Sequence, residues 1–202
     1  MRALAYILIG IIISMFGLIL FRSPEDSWIC KDGAWVKHGN PTAAKPTVSC
    51  PKKGGTMKFV SPAFSDNGTL PAVYTCQGQG ASPPFTIAQV PAGTRSLALT
   101  MDDPDAPGGI FHHWLVFNIT PQTTEITEDH LPPGSIVGAN STGASAYTAA
   151  CPPGGIHRYV FTLFALDSVL NLEPTASRSE FDSAIRNHTL EKVTLTASYG
   201  RK

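Results

Sequence analysis

Hydrophobic and polar positions along the chain alternate in ways that specify sheet more than helix. Between Arg158 and Leu166 the run RYVFTLFAL places Tyr159, Phe161, Leu163 and Ala165 on one face of an extended strand, while Val160, Phe164 and Leu166 dominate the other. Both faces then require cover, so this strand is expected at the centre of a sheet. Ser96–Met101 and Trp114–Ile119 are shorter apolar runs bounded by turn residues and carry the same expectation. From Val193 to Tyr199 the apolar Val193, Leu195, Ala197 and Tyr199 alternate with Thr194, Thr196 and Ser198, the pattern of a half-buried closing strand. One helical signal precedes it: Ser177 and Glu180 make a capping box, and Phe181, Ala184, Ile185 and His188 recur at helical spacing. The pattern predicts a mainly β protein with minor helix.

The amino-terminal pattern is different. Ala3–Phe21 is a run of 19 residues without a charge, and as a helix it would extend roughly 28 Å, against a hydrocarbon core of about 30 Å. Every face of it is apolar, unlike a helix lying on a globular core. It ends in Leu18, Ile19, Leu20, Phe21 and Arg22 instead of the small residues of a cleavage site, and Ser27, Trp28 and Ile29 are not a lipid-attachment sequence before Cys30. An uncleaved single-pass membrane anchor over residues 1–23 is the expectation.

Residues 24–55 read as a spacer and linker. Cys30 and Cys50 bracket a segment with Gly33, Gly39, Pro41 and Pro46 for turns and too few apolar residues to fold unaided. Closing that loop of about 20 residues with a disulfide is worth roughly 3 kcal/mol, which predicts a Cys30–Cys50 bond and an oxidising compartment. A zinc site with His38 is the competing reading, but no Cys-x-x-Cys pair is present. Arg2 lies on one side of the apolar run and Arg22, Lys31 and Lys37 on the other, so charge does not orient it. The cysteines do, and they place the following domain outside the cytoplasm. After the Pro-Lys-Lys-Gly-Gly joint of 51–55, one domain is expected over 56–202.

Composition narrows the function classes. With 43% hydrophobic residues, the 202-residue chain has material for one packed core. Fifteen Lys plus Arg balance fifteen Asp plus Glu, so no broad field draws the protein to nucleic acid or to an anionic surface. Anion specificity, if present, must be local. The residues that carry candidate chemistry are Asp102, Asp103 and Asp105 in MDDPDAPGG, the adjacent His112 and His113, and His157, Arg158 and Tyr159 after CPPGG. Pro104, Pro107, Pro152 and Pro153 stiffen the two loops. Neighbouring strand residues point to opposite faces, so at most one of His112 and His113 lines any one pocket, and His157 shares a face with Tyr159 but not with Arg158.

Taken together, DDPDAP, HHWLVFNI and CPPGGIHRYVFTLFALD, with LPAVYTCQGQGASPPF upstream and ASYGR at the end, resemble the phosphatidylethanolamine-binding protein family, which includes the Raf kinase inhibitor proteins. The resemblance covers residues 57–202 and is strongest to the bacterial YbhB/YbcL-like branch. It implies two antiparallel β-sheets with peripheral short helices, and a small pocket for phosphate, phosphoryl headgroups or other oxyanions, without a cofactor or metal. Carried over motif by motif, the ligand-binding residues would be Asp103, Asp105, His113, Pro152, Pro153, His157 and Tyr159. His113 and Tyr159 would face the anion while an aspartate holds an imidazole in its donating tautomer. His112 has no counterpart in the branch. This chain also departs from it at Tyr147-Thr148-Ala149-Ala150-Cys151, where the branch has Tyr-Gly-Gly-Pro-Cys, and at Cys76-Gln77-Gly78, where it has Cys-Asp-Gly.

Two rival classes remain. A hydrolase would use Cys151 as nucleophile near His157, or a metal held by Asp103, His113 and His157. Against the nucleophile, Cys151 sits in a proline-flanked loop and has Cys76 as an alternative disulfide partner. An interaction protein, inhibiting a peptidase or a kinase as family members do, is the other, and an outward-facing domain would reach envelope peptidases rather than cytosolic kinases. The sequons at Asn67, Asn118, Asn140 and Asn187 read as unmodified, since Asn118 falls in a predicted buried strand. The residues leave the oligomeric state open, a homodimer included.

Overall fold

The computed structural model describes residues 26–31, 34–47 and 56–201, in two compact units that divide between Lys53 and Gly54. The expected anchor (1–23), the linker residues 51–55 and Cys50 lie outside the described residues. Among the described residues no helix is long and apolar enough to cross a membrane.

In the first unit, β1 (Ser27–Lys31) and β2 (Ala34–His38) form an antiparallel hairpin with Cys30 opposite Trp35. Trp28 Nε1 donates to the Ala43 carbonyl at 2.8 Å, and Lys37 Nζ stands 5.8 Å from the Trp28 ring centre. An isolated two-stranded hairpin is marginal in water, so covalent support is physically reasonable, and Cys30 is disulfide-bonded.

In the second unit β3 (Lys58–Val60), β5 (Phe85–Ala88) and β8 (Glu125–Ile126) form a small antiparallel sheet in the order β3-β5-β8. The larger sheet is built from β4 (Gly68–Thr69), β6 (Ser96–Asp103), β7 (Phe111–Ile119), β9 (Ile136–Val137), β10 (His157–Leu166) and β11 (Thr189–Tyr199). Their order across it is β4-β11-β10-β6-β7-β9. Two antiparallel sheets are thus present, with the exception that β4 runs parallel to β11. The expected peripheral helices reduce, among the described residues, to α1 (Arg178–Ile185) and a single 3-10 turn at Ala72–Tyr74.

The two-faced run 158–166 is β10, between β11 and β6. Tyr159, Phe161, Leu163 and Ala165 enter a first core with Phe59, Phe85, Ile87 and Ile126 of the small sheet. Phe161 lies 5.2 Å from Phe85 between ring centres. Phe164 and Leu166 enter a second core with Leu115, Phe117 and the helix residues Phe181 and Ile185. The Ser177 capping box is complete: its hydroxyl accepts from Glu180 N, and its own N–H donates to Glu180 Oε2 at 2.7 Å. The helix is shorter than its periodicity suggests. It ends at Ile185, and His188 lies in the following turn with Nδ1 2.8 Å from Asp167 Oδ1.

The pairing of β6 with β7 is irregular at one end. Met101 of β6 is opposite Trp114 of β7, but the next residue, Asp102, is opposite His112. His113 is therefore the extra residue of a β-bulge, a device that re-aims a side chain at a strand end.

Candidate functional site

At the end of the large sheet where β6, β7 and β10 meet, a cavity of about 520 Å³ opens between two loops. The loop Ala106–Ile110 after β6 forms one wall, and Thr148–Pro153 before β10 forms the other, with Asp103, His113 and Tyr159 contributed by the strands. The bulge explains how His113 and Trp114, adjacent in sequence, both serve the first-core side of the sheet. His113 stands 5.3 Å from the Tyr159 ring and 4.6 Å from Phe111, while Trp114 packs into the core. His112 turns the other way, with Nδ1 2.8 Å from Asp102 Oδ1, and Arg178 of the helix donates to the same carboxylate oxygen at 2.5 Å.

Of the residues expected to surround a ligand, Asp103, His113, Pro152, Pro153 and Tyr159 line the cavity. Asp105 and His157 do not. The Asp105 carboxylate is turned to Arg158, accepting from its backbone N–H at 2.8 Å and from its guanidinium at 2.9 and 2.7 Å. Those bonds hold its pKa down at about 2. His157 is buried beside Asp103, its Nδ1 donating to Asp103 Oδ2 at 2.7 Å, and Asp103 Oδ1 also accepts from Asp105 N at 2.8 Å. Ser141, Thr148, Cys151, Gly108, Gly109 and Ile110 also line the cavity, although no motif marks them as ligand contacts. The altered loop around Thr148 carries a signal in the sequence. Ser141, distant along the chain, carries none.

The imidazole that an aspartate holds is that of His157, on Asp103, whereas His113 is held by a carbonyl. His113 Nδ1 lies 2.8 Å from the Thr148 carbonyl, which can only accept, and Thr148 N donates back to His113 O at 3.0 Å. The imidazole is thus fixed with its hydrogen on Nδ1, leaving Nε2 as a lone-pair acceptor in the neutral ring. Burial lowers the His113 pKa below its ordinary value, and this outweighs the carbonyl bond and the charges of Asp103 and Asp102, which act upward.

Tyr159 is the other unusual group. It is fully buried, and among the described residues its hydroxyl has no hydrogen-bond partner. Burial, and then the nearby Asp103 charge, raise its pKa, so it remains a donor at all ordinary pH. A buried polar group without a partner costs about 1–3 kcal/mol, and such a group beside a cavity is a place for a ligand atom.

The rim is covalently fixed. Cys76 and Cys151 form a disulfide with Cα atoms 5.3 Å apart, and Cys76 N donates to the Ala150 carbonyl at 3.0 Å. Tyr147 OH donates to Tyr74 O at 2.8 Å, and Tyr199 OH bonds Gln77. A nucleophilic role for Cys151 is excluded by this bond, because the thiolate is the reactive form. For the metal reading, Asp103 and His157 engage one another, and among the described residues no three His, Cys, Asp or Glu side chains are placed to hold an ion.

The sequence model of the phosphatidylethanolamine-binding protein family matches residues 60–200. A UPF0098 protein of Methanothermobacter thermautotrophicus is 44% identical over 150 residues, which is 72% of this chain and 99% of that protein. A UPF0098 protein of Chlamydia pneumoniae is 40% identical over 148 residues, 71% of this chain and 98% of that protein. Among solved structures, the phosphatidylethanolamine-binding protein homologue CT736 of Chlamydia trachomatis superposes with a TM-score of 0.70 at 34% identity, covering 73% of this chain and 99% of its own. YbcL of E. coli superposes with a TM-score of 0.69 at 29% identity, covering 73% and 100%.

Proposed function

This chain belongs to the phosphatidylethanolamine-binding protein family, and on that premise we propose that it is a non-catalytic, membrane-tethered binding protein whose cavity receives a small phosphoryl group, free or as a headgroup. The observation that carries the reading is the Tyr159 hydroxyl, buried without a partner in a side chain that lines the cavity. A phosphoryl oxygen would accept that hydrogen, and the Ser141 hydroxyl, also on the cavity wall, offers a second donor. Two proline-stiffened loops and the Cys76–Cys151 bond hold the site in shape before a ligand arrives, which reduces the ordering entropy of binding.

Non-catalytic action is supported by the chemistry of the residues present. Cys151 is oxidised. Asp103 and His157 form a buried pair 2.7 Å apart that holds the cavity wall. His113 is fixed by the Thr148 carbonyl rather than paired with a nucleophilic side chain. The membrane tether rests on the uncharged run Ala3–Phe21, and the extracytoplasmic side rests on the cysteine usage. Protease added to intact cells should remove the domain, and full protection of the domain would reverse that topology.

Calorimetric titration of phosphoethanolamine into the full-length protein, His113→Ala and His112→Ala tests the site. A bond to a charged ligand is worth about 1.5–3 kcal/mol, so His113→Ala should weaken binding roughly ten- to a hundredfold. His112→Ala, whose ring faces Asp102 and Arg178 instead of the cavity, should change little. Equal affinities in all three proteins would refute the site.

A further inference from the structure

The cavity contains an unusual balance of charge for a phosphoryl site. Among the described residues neither Lys nor Arg lines it. Arg158 is bound by Asp105, Arg178 is held by Asp102 and Asp182, and Arg201 donates to the Pro153 carbonyl on the rim at 3.0 Å. What the cavity offers instead is a set of paired donors and acceptors. Tyr159 has a free hydrogen. Ser141 Oγ accepts from His112 N at 2.8 Å and so retains its own hydrogen to donate. Against these stand two acceptors: the Asp103 carboxylate, whose oxygens each have one lone pair engaged by His157 Nδ1 or Asp105 N, and His113 Nε2, left as a lone pair by the Thr148 carbonyl.

A fully deprotonated tetrahedral anion such as sulfate presents only acceptors. In this cavity its lone pairs would meet the Asp103 carboxylate and the His113 lone pair, two repulsive contacts in a desolvated site. An anion bearing its own O–H satisfies both sides: its oxygens accept from Tyr159 and Ser141, and its hydrogen goes to Asp103 or His113. A site built to bond a ligand O–H rejects the analogue lacking it, because its buried polar atoms are then left unpaired.

We propose that the cavity is selective for an oxyanion that carries its own hydrogen, a phosphomonoester in its monoanionic form, with Asp103 and His113 as acceptors of that hydrogen. The proposal rests on the reading of the cavity as a phosphoryl site and assigns the specificity of that site to two residues. The groups that set its electrostatics are Asp103 and Asp102 from β6, His112 and His113 from β7, His157, Arg158 and Tyr159 from β10, and Asp105 from the loop after β6. With its Nδ1 hydrogen given to the Thr148 carbonyl, the neutral His113 ring presents only a lone pair at Nε2, and burial favours that neutral form.

The experiment compares glycerol phosphate and sulfate by calorimetric titration into the full-length protein at pH 6.5, 7 and 8. Phosphomonoesters lose their last proton with a pKa of about 6. If only the monoanion binds, glycerol phosphate affinity falls about tenfold per pH unit between 7 and 8, and sulfate binds at least tenfold more weakly at pH 6.5. Asp103→Asn replaces one acceptor by an amide that can donate, and should narrow the difference between the two ions. Should that variant not fold, the comparison of ions on the unaltered protein still decides the matter. Sulfate binding as tightly as glycerol phosphate, or with the same pH profile, would mean that His113 carries the proton, and overturns the proposal while leaving a phosphoryl site intact. Failure of glycerol phosphate to bind at any of these pH values overturns both.

Discussion

Replacing Cys76 and Cys151 together by serine should destabilise the domain far more than any contact at the rim would suggest. The bond joins residues 75 apart in sequence, and in the chain-entropy account closing a loop of that length removes about 4.5 kcal/mol from the unfolded state. That is an upper figure, because the unfolded chain keeps some structure of its own. Both sulfurs belong to exposed residues, so the serine hydroxyls meet water and add no desolvation penalty. The Cys76 N–H to Ala150 carbonyl bond and the Tyr147 to Tyr74 bond remain, each worth about 1 kcal/mol. These hold the rim loop in place in the folded state but do nothing to restrict the unfolded chain. On a domain of this size the loss corresponds to a fall in Tm of roughly 9–18 °C. Thermal unfolding of the full-length protein and the double variant, followed by circular dichroism, measures it. A loss under about 1 kcal/mol would refute the reasoning and place the rim's stability in its hydrogen bonds.

Other outcomes rest on the same geometry. Burial acts to raise the Asp102 pKa, but the bonds from His112 and Arg178 outweigh it and lower the value. Its stabilising contribution is therefore present above the ordinary carboxylate value of about 3.9 and is lost as pH falls through the lower folded value. Thermal melts between pH 6 and pH 2.5 should show that loss, with a shallower acid slope in Arg178→Ala. Phe181, fully buried against Phe164 at 5.8 Å between ring centres, should lose about 3–5 kcal/mol on truncation to alanine, measurable by urea unfolding. Ser177→Ala removes the helix cap and should lower stability by about 1 kcal/mol in the same assay.

Much of the fold is legible in the sequence because the strongest signals are local and redundant. The run 158–166 is apolar on both faces because two cores press on β10, and the alternation from Val193 to Tyr199 marks the strand that closes against it. Ser177 and Glu180 sit within one helical turn, so the capping box needs no tertiary information. The end of α1 is not legible in the same way, because His188 completes the helical spacing yet bonds Asp167, a partner 21 residues away.

The site divides along the same line. Alternation separates His112 from His113 correctly, but it cannot reveal the bulge that turns His113 and Trp114 to one side. A bulge is defined by the partner strand, here the step from Met101 to Asp102. Nor can it show which group holds which imidazole. Thr148 is 35 residues from His113 and Asp103 is 54 from His157, and a carboxylate in place of the Thr148 carbonyl would favour the charged imidazolium of His113 over the neutral ring. Asp105 belongs to the site by its motif, whereas its carboxylate faces Arg158 across the outside of the sheet end.

The central claim is that the Tyr159 hydroxyl is kept for a ligand, and Tyr159→Phe tests it most directly because stability and binding should separate. The hydroxyl has no partner among the described residues, so its removal should leave Tm unchanged or raise it, since a buried unpaired polar group is lost. Phosphoethanolamine affinity, measured by calorimetry on the same sample, should fall roughly ten- to a hundredfold. Unchanged affinity in a normally folded Tyr159→Phe protein would contradict the account.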